Sequence, residues 1–129
     1  MTKSKILVVD DDPKLSSLLA VILARVGGYD VIQENRSFAA LATARQYRPD
    51  VILLDVDMPG KDGGMVSAEI KSDPNLAGVP VVFVTSLVSA AEAGNRGGEQ
   101  YLSKPVDPKL LLDTVRSLCQ RFKREPQVA

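Results

Sequence analysis

Four short apolar runs in this chain of 129 residues each deliver a side chain that can handle a phosphoryl group. Ile6–Val9 runs into Asp10, Asp11 and Asp12, and Val51–Leu54 runs into Asp55. Val81–Val84 runs into Thr85, and the short segment Tyr101–Ser103 runs into Lys104 and Pro105. Adjacent carboxylates repel one another and tolerate closeness best around a cation; magnesium favours a few carboxylate oxygens together with retained water. A carboxylate that ends a strand is held rigidly yet faces a crevice, which suits a nucleophile. A hydroxyl and an ammonium on the same edge add a hydrogen bond and a counter-charge. Such positioning and neutralisation account for most of the catalysis in phosphoryl transfer. Asp12, followed by Pro13, reads instead as a helix N-cap.

The elements that must position these groups follow from the pattern. Apolar runs of this length suit strands of a parallel sheet covered on both faces, and such sheets bind ligands beyond the carboxyl ends of their strands. Leu15, Leu18, Leu19, Ile22, Leu23 and Val26 recur at helical spacing until Gly27 and Gly28 stop the helix. A weaker second strand is read over Tyr29–Gln33, and a short helix capped by Ser37 carries Ala40, Leu41 and Ala44 up to Arg48 and Pro49. Met58–Gly64 reads as a loop, and a helix from about Met65 to Lys71 ends at Asp73 and Pro74. Asp107 and Pro108 open a last helix with Leu111, Val115, Leu118 and Phe122 on one stripe. Strands alternating with helices predict an α/β three-layer sandwich, with a right-handed, five-stranded parallel sheet and helices on both faces.

Composition excludes several chemistries. Lysine plus arginine equals aspartate plus glutamate at 16 each, so no net field favours nucleic acid or an anionic membrane. The charged stretch Arg121 to Glu125 accordingly reads as a solvated tail. Cys119 is the only cysteine and sits in an apolar helical pattern, which rules out an internal disulfide. The absence of histidine excludes Ser-His-Asp and Cys-His catalysis, and it leaves only oxygen ligands for a metal: magnesium, calcium or manganese. The longest apolar stretch is too short for a membrane span and the polar N-terminus lacks a signal-peptide core, so a cytoplasmic protein is expected.

The segments ILVVDDDP, PDVILLDVDMPGKDG, VPVVFVTS and YLSKPV resemble, in content and order, the receiver domains of two-component response regulators, over roughly residues 4 to 122. The likeness is to the chemotaxis regulators among them. It implies a flavodoxin-like sheet of strand order 2-1-3-4-5, and a domain that takes a phosphoryl group from a histidine kinase or phosphotransfer protein onto Asp55. Asp10 and Asp11 would bind Mg2+ (Mn2+ being the alternative), Asp11 directly and Asp10 chiefly through water, with the Asp57 carbonyl completing the protein ligands. Thr85 would be the switch hydroxyl and Lys104 the phosphate-contacting lysine, joined to Pro105 by a cis bond. Tyr101 would be the aromatic residue that changes rotamer as Thr85 moves. Ser86 is small enough to leave the site open, and Asp57 and Leu87 would tune the lifetime of the acyl phosphate. The resemblance further implies a timed switch rather than a turnover enzyme, and the balanced charge argues against direct binding of nucleic acid or membrane. Residues 1–124 form the receiver domain on this reading, and 125–129 a polar tail or the start of a linker.

One feature departs from the family pattern. Lys104 follows Thr85 by only 19 positions, about one helical turn short, and the intervening stretch holds Gly94, Gly97 and Gly98. Glycine disfavours helix by roughly 1 kcal/mol per residue. The fourth helix is therefore expected to be short or irregular across residues 86–100. That stretch belongs to the region of the fourth and fifth helices, through which the family forms homodimers or meets effectors. Two other functions compete. LLDVDM also resembles the DxD motif of haloacid-dehalogenase-type phosphatases, with Asp55 as nucleophile and Asp57 as acid/base, but the acidic pair precedes it and no cap domain fits. A receiver-like interaction module without phosphorylation is the other.

Overall fold

The computed structural model describes residues 3–86, 94–96 and 99–123. The chain runs β1 (Lys5–Val9), α1 (Pro13–Val21), β2 (Asp30–Glu34), α2 (Ala40–Tyr47), β3 (Val51–Asp55), α3 (Gly63–Ser72), β4 (Val81–Thr85), β5 (Gly94–Arg96), β6 (Glu99–Ser103) and α4 (Pro108–Lys123). The sheet order is β2-β1-β3-β4-β6-β5. Its first five members are parallel, which gives the expected flavodoxin-like order, and β5 adds an antiparallel edge strand paired to β6.

The period-2 alternation of the strands sorts the core into two layers. Ile6, Val8, Val51, Leu53, Val82 and Val84 face Leu19, Leu23, Leu111, Val115 and Leu118 of α1, its extension and α4. Leu7, Val9, Ile52, Leu54 and Phe83 face Ala40, Ala44, Val66 and Ile70 of α2 and α3. β3 and β4 are buried along their whole length and β1 from Ile6 onwards, as continuous apolar runs require.

Local chemistry fixes the helix starts that matter to the sheet edge. The Asp12 carboxylate accepts the Lys14 N–H at 3.0 Å with Pro13 at the first helical position, as expected. Asp62 caps α3 by accepting from the Met65 N–H at 2.9 Å, two residues earlier than the sequence pattern suggested. α1 widens into a π turn over Ile22–Val26, and Gly28 at φ +76° closes it.

Three expectations require correction. Ser37 is not a helix cap: it starts a 3-10 turn (Ser37–Ala39), and the cap position of α2 is Ala39, which makes no side-chain capping bond. The second strand is shifted by one residue to Asp30–Glu34. Part of the stretch read as an irregular fourth helix is the strand Gly94–Arg96, where glycine's low helix propensity yields to pairing with β6. Leu87 and the other residues of 87–93, with 97 and 98, like the Phe122 side chain and residues 125–129, lie outside the described residues. Among the described residues no helix is long and apolar enough to cross a membrane.

Candidate functional site

The carboxyl ends of β1, β3, β4 and β6 converge on one crevice. Asp10 and Asp55 end their strands with only 2% of their surface exposed, and Asp11 lies beside them in the open. Carboxylate oxygens of Asp10, Asp11 and Asp55 lie within 4.8 Å of one another. Three hard oxygen donors at that spacing fit a magnesium- or manganese-sized cation, and the chain has no softer donor to compete with them there.

The buried members are tied down. Lys104 Nζ donates to Asp55 Oδ1 at 2.8 Å, and the Asp57 amide donates to the same oxygen at 3.3 Å. The Asp12 amide donates to Asp10 Oδ1 at 2.9 Å. Thr85 is 2% exposed and its hydroxyl reaches Asp57 Oδ2 at 3.4 Å. The Lys104–Pro105 peptide bond is cis. Asp57 thus meets the site through its amide and its carboxylate.

The electrostatics follow from burial and sign. Burial pushes the Asp10 carboxyl up to about 6; the Asp12 amide bond opposes this, while the neighbouring Asp55 charge reinforces it. Burial alone would lower the Lys104 ammonium, but its hydrogen bond to Asp55 and the charges of Asp55, Asp10 and Asp57 outweigh that and raise it. A crevice with the carboxylates of Asp10, Asp11, Asp55 and Asp57 and one ammonium is short of positive charge, which is the condition a divalent cation relieves.

Tyr101 stands on the other face of the sheet. Its ring stacks on Phe83 at 5.2 Å between centroids, and its hydroxyl reaches Glu99 Oε1 at 3.1 Å. Together with Thr85, Phe83, Val56, Ser67 and Lys71 it lines a cavity of about 480 Å³ between α3 and the β4–β6 flank. Thr85 therefore borders both the crevice and this cavity.

Two residues at the site escaped the sequence reading. Gly63 begins α3 directly beneath the end of β3: a Cβ there would lie 2.6 Å from the Asp55 carbonyl oxygen and 2.8 Å from Val56 Cα. Its place after Asp62 was legible as loop glycine, but the close approach was not. Asn35, just past β2, donates to the Asp10 carbonyl at 2.7 Å. A lone amide after a weak strand carries no periodic signal.

A parallel sheet that gathers carboxylates and a lysine at its carboxyl edge in strand order 2-1-3-4-5 is the plan of signal receiver domains. The model of the response regulator receiver domain matches residues 6–116, and the chain belongs to that family. It is 37% identical over 128 residues to the DNA-binding dual master transcriptional regulator RpaA of Synechocystis sp., covering 97% of this chain and 53% of RpaA. Protein PilH of Pseudomonas aeruginosa is 34% identical over 118 residues, covering 89% of this chain and 97% of PilH. Among solved structures, the chemotaxis protein CheY4 of Vibrio cholerae superposes with a TM-score of 0.79 at 28% identity, covering 91% of this chain and 99% of CheY4. The chain spans about half the length of RpaA. Receiver domains are signalling modules that interact with histidine kinases and bind magnesium at an acidic pocket; they are not turnover enzymes.

Proposed function

We propose that this chain is a phosphoacceptor receiver that takes a phosphoryl group on Asp55 from a phosphohistidine of a histidine kinase or phosphotransfer protein. The observation that carries the reading is the buried Asp55 carboxylate, held at one oxygen by Lys104 and the Asp57 amide within a cluster of carboxylates. Fixing Oδ1 orients the group and directs Oδ2 to attack phosphorus in line. The O–P bond forms as the P–N bond breaks; the imidazole leaves with a solvent proton, and Asp55 carries an acyl phosphate. Asp10, Asp11 and the Asp57 carbonyl are the residues to hold magnesium, which when bound supplies charge neutralisation for the incoming phosphoryl oxygens. Lys104 then contacts the phosphoryl group, Thr85 donates its hydroxyl to it, and Tyr101 follows Thr85. Water later hydrolyses the acyl phosphate, at a rate tuned by Asp57 and Leu87.

An apolar groove of about 470 Å³ lined by Leu15, Leu18, Ile22, Pro105 and Val106 opens beside Lys104 and offers a donor protein a surface next to the acceptor. The region of α4 and the β4–β6 flank serves a second copy or an effector. On this reading residues 1–124 are the receiver, residues 125–129 are a tail or linker start, and the protein works in the cytoplasm.

The test is incubation with magnesium and acetyl phosphate followed by intact mass. One added phosphoryl group, absent in Asp55→Asn, is expected. No adduct under conditions that label a known receiver would leave only a docking module, and sustained release of phosphate from a generic monoester would restore the phosphatase reading.

A further inference from the structure

We propose that Asn35 is a positioning residue for the acidic crevice: its side-chain amide takes the place of a missing sheet bond and fixes the Asp10 peptide from which Asp10 and Asp11 project. The inference rests on Asp10 and Asp11 serving as the cation site. β1 and β2 run parallel in register up to Val9 opposite Glu34, and the Asp10 N–H continues the ladder by donating to the Glu34 carbonyl at 3.1 Å. In a parallel ladder the next bond would run from the Arg36 N–H to the Asp10 carbonyl. That N–H is diverted: it donates to Glu34 Oε2 at 3.0 Å. Asn35 fills the gap, with Nδ2 donating at 2.7 Å to the Asp10 carbonyl and at 2.9 Å to Ser16 Oγ.

Both amide hydrogens are thereby used, and the amide is braced from behind. Ser16 is fully buried on α1, and its hydroxyl lies 3.0 Å from Gln33 Oε1 on β2. The brace joins β2, the first turns of α1 and the end of β1. It acts on the main chain at the point where the chain leaves the sheet and must hold two repelling carboxylates in one orientation. A site held within a fraction of an ångström needs such support behind its ligands.

The experiment is a magnesium titration of 15N-labelled protein followed at the amides of Asp10, Asp11 and Asp12. Asn35→Ala is expected to raise the half-saturating concentration about tenfold, the low end for loss of a supporting partner at a metal site. Thr43→Val is the control: it removes a 2.7 Å bond to Glu34 nearby but touches nothing at Asp10, and it should leave half-saturation unchanged. In acetyl phosphate labelling, Asn35→Ala should be slow at limiting magnesium and recover the wild-type rate at saturating magnesium, a split that general destabilisation does not produce. An unshifted half-saturation in folded Asn35→Ala overturns the proposal, as does an equal shift in Thr43→Val. Should Asn35→Ala fail to fold, Asn35→Ser supplies the same comparison with the same deciding outcomes. Wild-type protein that binds no magnesium overturns the proposal together with the cation site. Wild-type protein that binds magnesium but takes no phosphoryl group counts against the acceptor role of Asp55, and the titration still decides Asn35.

Discussion

Where β1 and β3 end, the buried carboxylates of Asp10 and Asp55 are held by the Asp12 amide, the Asp57 amide and Lys104, and beneath them Gly63 leaves no room for a Cβ. Two strands away the same sheet is looser: Tyr101 is half-buried, stacked on Phe83 at the wall of a cavity of about 480 Å³, beside an edge strand of three residues. Under the proposed function, the difference separates two requirements of a switch. A nucleophile and its cation must be preorganised, because a small misplacement is costly in rate. A reporter side chain must have two places to go, because packed cores without space are not free to rearrange. Thr85 touches both regions and is the natural coupling between them.

Truncation on the two sides should therefore differ most in stability. Leu53, 1% exposed in the central strand, should lose about 3–4 kcal/mol as Leu53→Ala in urea denaturation, because the layer formed with α1 and α4 cannot collapse to fill the void. Tyr101→Ala, at the wall of an existing cavity, should lose about 1 kcal/mol. Equal losses would show that the flank is as tightly packed as the centre and would break the contrast.

The contrast was partly legible in the sequence. Apolar runs closing on Asp10, Asp55, Thr85 and Lys104 locate the crevice, because in a parallel sheet every strand presents the same end to one edge. Nothing in the sequence marks Asn35, whose role arises from the diversion of the Arg36 N–H by Glu34, a bond that exists only once β2 is laid beside β1. Ser37 carries a cap residue's chemistry, yet a 3-10 turn displaces it from the cap position. Gly94 argues against helix where the strand Gly94–Arg96 stands, but it cannot announce β5, whose pairing with β6 is a tertiary contact.

A second prediction concerns the link between the regions. Lys104→Ala removes the counter-charge 2.8 Å from Asp55 without removing the carboxylate proposed as nucleophile. The variant should still accept some phosphoryl from acetyl phosphate, while the phosphorylation-induced shift of the Tyr101 ring resonances falls well below that of wild type. A full-strength shift at Tyr101 would mean that the response reaches the flank by a route that does not involve Lys104.

The smallest effect tests how far the rigid half depends on charge. Burial alone would raise the Glu34 carboxyl, but hydrogen bonds from Thr43 and Arg36 and the Arg36 charge bring it below its ordinary 4.5. A carboxylate whose folded pKa is depressed contributes stability that is fully present above the unfolded value and is lost as pH falls through the folded one. Asp73, held low by its 2.7 Å bond from Arg45, behaves the same way from 3.8 downwards. Thr43→Val keeps the shape of the side chain but deletes the 2.7 Å hydroxyl bond to Glu34, so it should cost about 1 kcal/mol near neutral pH. That cost should shrink as pH falls below about 4.5, where Glu34 becomes neutral in the unfolded chain and then in the folded one. A cost that stays constant through this window would place the stabilisation in packing around Thr43 rather than in the charge of Glu34. The edge strand β2, which flanks β1, would then owe its rigidity to the same source as the core.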